Sequence, residues 1–95
     1  MADDNNEVGQ WRVEVSKRVE KQIGSLDKSE RRRVLLALDR LSREPRPDGV
    51  RKLAGRDNEW RIRVGRCRII YEIHDGRLVV IVLDILSRDK AYKRR

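Results

Sequence analysis

Residues 60–92 read WRIRVGRCRIIYEIHDGRLVVIVLDILSRDKAY, and the alternation within this stretch decides the fold. Trp60, Ile62 and Val64 alternate with Arg61 and Arg63, Gly65 permits a tight turn, and Cys67, Ile69, Tyr71 and Ile73 alternate with Arg68, Ile70 and Glu72. A period of two sends successive side chains to opposite faces of a sheet, so the pattern predicts a hairpin with one apolar and one arginine-bearing face. His74-Asp75-Gly76-Arg77 carries the Asp-Gly signal of a two-residue hairpin turn. The apolar run from Leu78 to Leu86 then predicts a third strand covered on both faces.

Upstream, Trp11, Val13 and Val15 alternate with Arg12 and Glu14, which predicts a short half-buried strand. Ser16 can cap a helix on which Val19 and Ile23 share a face, with Gly24 at its end. Asp27 followed by Glu30 resembles a capping box. The helix it opens places Val34, Leu35, Leu38 and Leu41 on one stripe before Pro45 forbids continuation. Residues 46–58, RPDGVRKLAGRDN, read as a surface loop anchored by Leu53. The predicted order is β-α-α-β-β-β. It describes a small α+β domain over residues 11–95, a helical hairpin on a mainly antiparallel four-stranded sheet, preceded by a flexible polar tail at 1–10.

The charge is unevenly placed. Of 24 Lys/Arg and 16 Asp/Glu, residues 1–45 hold ten and nine, whereas residues 46–95 hold fourteen and seven, so +7 of the net +8 lies in the second half. Eighteen of the basic residues are arginine, whose planar fork holds phosphate oxygens bidentately. Such a field attracts phosphate backbones, acidic proteins or anionic membrane surfaces. Cys67 is alone, so neither a disulfide framework nor a metal-ligand spacing is present, and a buried thiol in the cytoplasm is expected. No stretch has the length of a membrane span or the apolar core of a signal peptide. Neither a metal nor another cofactor is expected.

If Trp60, Ile62 and Val64 point toward the helices, Arg61, Arg63 and Arg68 share the opposite face. Cations that close repel one another, an arrangement better explained if an anion normally sits among them. His74, the one histidine, falls at a hairpin tip away from the arginine face and reads as a turn residue. Trp60 and Tyr71 read as core, and Trp11 as either core or partner surface.

Five elements of the sequence together resemble the RelE branch of the RelE/ParE toxin superfamily. They are WRVEVSKRVEKQI at 11–23, KLAGRDNEWRIRV at 52–64, RCRIIYEI at 66–73, SRDKAY at 87–92, and the order of the predicted strands and helices. The resemblance implies a ribosome-dependent endonuclease that enters the A site of the 30S subunit and cuts messenger RNA by attack of a ribose 2′-OH on the adjacent phosphate. It implies as partner a RelB-like antitoxin, held in a toxin-antitoxin hetero-oligomer. By position it assigns catalysis to Arg61, Arg63, Arg68, Arg88 and Tyr92. Members of the family often carry lysine where Arg61 and Arg63 stand, and arginine neither gives nor takes a proton near neutral pH, so both are expected to act electrostatically. Arg51, Lys52, Arg56, Arg66, Lys90, Lys93, Arg94 and Arg95 are the expected contacts to RNA and the ribosome. An antitoxin is expected to wrap the basic face or displace the C-terminal tail.

Two other readings use the same scaffold. The ParE branch is associated with inhibition of DNA gyrase and does not need this catalytic set, and a non-catalytic RNA-binding module would use the basic face with steep salt dependence and leave RNA intact.

Overall fold

The computed structural model describes residues 10–55 and 58–87. The tail at 1–9, Arg56, Arg88, Lys90, Tyr92, Lys93, Arg94 and Arg95 lie outside the described residues. The chain begins with strand β1 (Arg12–Val15), helix α1 (Lys17–Gly24) and helix α2 (Lys28–Leu41). Strands β2 (Arg51–Lys52), β3 (Glu59–Val64), β4 (Cys67–His74) and β5 (Val79–Ser87) follow.

Both helices start where a side chain caps them. Ser16 Oγ accepts the Val19 N–H at 3.1 Å, and the Asp27 carboxylate accepts the Glu30 N–H at 2.9 Å, each satisfying a donor that the first turn leaves unpaired. The expected capping box is half made. Glu30 turns its carboxylate to the Cys67 thiol at 3.5 Å and to Arg66 at 4.0 Å, tying the start of α2 to the β3–β4 turn.

The five strands lie in the order β1-β5-β4-β3-β2, with β1 parallel to β5 and the other pairs antiparallel. The two helices supply the crossover that a parallel neighbour needs. The fifth strand corrects the expected loop at 46–58. There Arg51 pairs with Arg61 and Lys52 with Trp60, and two consecutive cations carry no alternating apolar signal by which a strand is read. The β4–β5 connection also differs from the expected two-residue turn. Asp75–Arg77 forms a 3₁₀ turn, Leu78 adopts a left-handed conformation (φ 53°), and β5 starts one residue later at Val79. In β5, Leu83 is an extra residue opposite the Ile70/Tyr71 step of β4.

Beyond Val82, β1 no longer pairs with β5, and α1 takes its place along that edge. Gln22 accepts the Ile85 N–H at 3.0 Å and donates to Asp84 at 2.7 Å, while Arg18 donates to the Leu83 carbonyl at 2.7 Å. Side chains of a helix thus supply the bonds that a neighbouring strand would have made.

The core lies between the helices and one sheet face, where Val19, Val34, Leu41, Cys67, Ile69, Tyr71, Ile73, Val80 and Val82 are buried and Trp11 and Trp60 pack against its margin. On β5 only that face is covered by helices, and Ile81, Leu83 and Leu86 are half-buried. Leu35 departs from the expected stripe. Successive residues on a helix are about 100° apart, so the set Val34, Ala37, Leu38 and Leu41 meets the core while Leu35 turns outward and stays 51% exposed. No helix among the described residues is long and apolar enough to cross a membrane.

Tyr71 is fully buried, and its hydroxyl donates to the Pro45 carbonyl at 2.8 Å, fastening the end of the α2 connection to the sheet. Tyr71→Phe leaves that carbonyl without its donor at no cost in packing. A loss of about 1 to 2 kcal/mol is expected in chemical denaturation at unchanged slope.

Candidate nucleic-acid interface

The outward face of the sheet is set by what the inward face buries. Ile62 and Ile69 stand opposite each other toward the core, so one step along the strands Arg63 stands opposite Arg68, facing outward. The same pleat places Arg61 outward, and β2 brings Arg51 directly opposite it. Two opposed arginine pairs therefore lie side by side, and with Gly49 they line a cleft of about 300 Å³. No carboxylate is among the residues that line it.

Two glycines and one arginine shape this cleft. Gly49 has φ +91°, a conformation that side chains rarely adopt, where the chain turns into β2. Gly65 has φ +61° in the β3–β4 turn, and a Cβ there would meet Arg33 Nη1 at 3.0 Å. Arg46 holds the approach to β2. Its guanidinium grips Asp75 through bonds of 3.1 and 3.0 Å and lies 4.9 Å from the centre of the Trp60 ring. The same grip holds the Asp75 carboxyl below the usual carboxylate range. Sequence reasoning missed Arg46 because its partners are 29 and 14 positions away with no local pattern linking them.

Of the residues expected to act on RNA, the structure brings Arg51, Arg61, Arg63 and Arg68 together. Lys52 shares the Trp60 side of the sheet, with its ammonium 5.7 Å from that ring, and so faces away from the cleft. Arg66 sits at the hairpin tip, exposed and turned toward Glu30. Arg56, Arg88, Lys90, Tyr92, Lys93, Arg94 and Arg95 lie outside the described residues.

The remaining titratable groups are poorly suited to chemistry at the cleft. Burial, reinforced by the Glu30 carboxylate, pushes the Cys67 thiol up to about 11, so it stays protonated and unreactive at neutral pH. Burial likewise raises the Tyr71 phenol far above the neutral range. His74 shares the outward face rather than lying off it, which corrects the sequence reading. It closes β4, bonded to Glu72 at 2.8 Å, and six residues along the strand from Arg68 amount to about 20 Å. Among the described residues, no group of His, Cys, Asp and Glu is arranged to hold a metal.

This architecture has known relatives. A family model described as the ParE toxin of the type II toxin-antitoxin system parDE matches residues 11–92. A curated relative from Methanocaldococcus jannaschii, named as toxin RelE1, is 29% identical over 86 residues, spanning 87% of this chain and 96% of the relative. Among solved structures, the archaeal RelE-RelB complex from Pyrococcus horikoshii OT3 matches at 35% identity and a TM-score of 0.74, over 82% of this chain and 94% of that one. The RelBE2 toxin-antitoxin complex of Mycobacterium tuberculosis matches in fold, with 23% identity, a TM-score of 0.73 and coverage of 84% and 93%. The chain belongs to the RelE/ParE superfamily and is a RelE-type toxin of a type II toxin-antitoxin system.

Proposed function

We propose that this toxin is a ribosome-dependent endoribonuclease of the cytoplasm that cuts messenger RNA in the A site, and that a RelB-like antitoxin silences it in a hetero-oligomer. The observation that carries the reading is the pair of opposed arginine pairs around one cleft without a carboxylate in its lining. Like charges directly opposed on a sheet cost stability, on the order of 0.5 kcal/mol a pair, and a polyanion threaded between them turns that cost into binding.

In the proposed reaction the 2′ oxygen attacks the neighbouring phosphorus and the bond to the 5′ oxygen breaks, leaving a cyclic phosphate and a free 5′-OH. Negative charge develops on the non-bridging oxygens, and fixed guanidiniums aimed there stabilise the transition state more than the ground state. Arg63 and Arg68 take this part, with Arg88 as a third cation, while Arg51 and Arg61 hold the flanking phosphate. The 2′ proton must leave and the 5′ oxygen must gain one, and guanidinium serves neither transfer. Tyr92 is the proposed base at the 2′ position, a role that requires cations to favour its ionisation, and water supplies the proton that the 5′ oxygen gains. The ribosome supplies the in-line geometry, a contribution that can reach about 7 kcal/mol. A second reading, inhibition of DNA gyrase, is favoured by the ParE description of the family model that matches residues 11–92.

Primer extension on a programmed 70S ribosome, beside a gyrase supercoiling assay, separates the two. The expected result is a new stop within the A-site codon, absent on free RNA, with supercoiling untouched. Intact message with blocked supercoiling assigns the chain to the second reading, and intact message with salt-sensitive RNA binding leaves a binding module. Arg63→Ala and Arg68→Ala should each slow cleavage by about 100-fold or more while keeping the circular dichroism of the parent. Tyr92→Phe should slow single-turnover cleavage by about 100-fold, and an unchanged rate removes the hydroxyl from the mechanism. Arg63→Gln and Arg68→Gln should each melt no lower than the parent in low salt. A short oligonucleotide should raise the melting temperature of the parent and less so that of either variant, because the same repulsion sets both effects.

A further inference from the structure

Both ends of the segment that carries Arg51 converge on one indole ring. Arg46, at its start, lies 4.9 Å from the centre of the Trp60 ring, and Lys52, at its end, lies 5.7 Å from it. Each is inside the roughly 6 Å over which a cation is drawn to an aromatic face. Between them the chain turns back, with the Val50 N–H donated to the Pro47 carbonyl at 3.1 Å and Val50 packed on the core. The ring is itself tied down. Trp60 Nε1 donates to the Asn58 side chain at 3.4 Å, and Asn58 donates to the Ile73 carbonyl at 2.8 Å, which fixes the platform to β4. Two cations near one ring repel each other, and the carboxylate of Asp75, bonded to the Arg46 guanidinium, offsets that repulsion. Asp75 is 64% exposed, where an ion pair alone stabilises little, so its effect lies in the geometry it sets.

We propose that Asp75, Arg46, Trp60 and Lys52 form a clamp of positioning residues that aims Arg51 into the cleft, so that Lys52 serves RNA binding through Arg51 and not by touching RNA. Adjacent residues of a strand face opposite ways, so whatever holds Lys52 on the Trp60 side of the sheet turns Arg51 to the other. The ladder of β2 is too short to do this unaided. It pairs through two residues, with one further bond from the Leu53 N–H to the Glu59 carbonyl at 2.8 Å. The inference rests on the reading of the cleft as an RNA site. Its sharpest consequence concerns Asp75. Removing that carboxylate adds one positive charge to a protein of net charge +8, and charge alone would tighten its hold on any polyanion. The clamp requires the opposite, because Arg46 and then Lys52 lose their places and Arg51 swings out of line.

The probe is a short labelled single-stranded RNA, followed by fluorescence anisotropy at fixed salt, with circular dichroism to check that each variant is folded. D75N and K52M should each weaken binding about fivefold in the parent background, less than about twofold in R51Q, and the full fivefold in R63Q. D75E, which keeps the carboxylate, should bind within about twofold of the parent. Unchanged or tighter binding in D75N overturns the proposal, as does an equal loss in the parent and R51Q backgrounds, the mark of a general loss of structure. A K52M loss that persists in R51Q overturns it too, returning Lys52 to direct contact with RNA. Hydrogen exchange followed by NMR tests the clamp with no RNA present. In D75N the Leu53 amide should exchange at least about fivefold faster while the amides of Ile69 and Tyr71 in β4 keep the parental rate. An unchanged Leu53 amide overturns the clamp whatever the RNA does. A Leu53 amide that loosens as expected, beside a parent whose RNA binding is indifferent to R51Q and R63Q, sinks the RNA reading of the cleft and leaves the clamp standing.

Discussion

Everything at the candidate site depends on the pleat of β3 and β4. Once Ile62 and Ile69 are buried against the helices, a period of two leaves Arg63 and Arg68 no direction but outward and opposite each other. Burial of large aliphatic side chains contributes about 1.5 to 3 kcal/mol each, several times the cost of one exposed like-charge pair, so the core wins and the cations stay clustered. Slipping β3 by one residue would scatter the arginines, but it would also put Ile62 in water. The arginine cluster is thus held by the same burial that holds the fold, and the repulsion within it persists without any dedicated bond to enforce it.

The second arginine pair needs a different support, because β2 is two residues long and cannot fix its own position. That support is a chain of contacts outside the sheet. Tyr71 ties Pro45 to the core, Arg46 is clamped by Asp75 and the Trp60 ring, and the segment after it then delivers Gly49 and Arg51 to the wall of the cleft. Arg46 and Tyr71 touch nothing in the cleft, yet they decide where Arg51 stands. Two cations of similar sequence context, Arg46 and Arg51, therefore play unlike parts, one spent on an ion pair and one left facing the cleft.

What the sequence disclosed follows from what was local. The alternation at 60–73, the caps at Ser16 and Asp27 and the turn at Gly65 are written within a few residues, and the strands, helices and arginine face read from them stand in the structure. The elements that escaped are set at long range. The parallel pairing of β1 with β5 joins residues 67 apart in Arg12 and Val79, and β2 exists because of its partner rather than its composition. Leu35 misled for a geometric reason: it sits beside Val34 in sequence, but a helix turns it away from a sheet that contacts only one narrow stripe. His74 was placed at the tip of a turn that the structure moves on to Asp75–Arg77.

The sheet divides the molecule into two surfaces with different physics. On one side four arginines gather around a cleft, where the attraction of any polyanion would be governed by charge and therefore by salt. On the other, two leucines sit within a basic rim, where apolar contact adds to charge and salt matters less. A partner drawn only by charge would compete with RNA for the first surface and lose ground as ribosomal RNA, the more concentrated polyanion, came near.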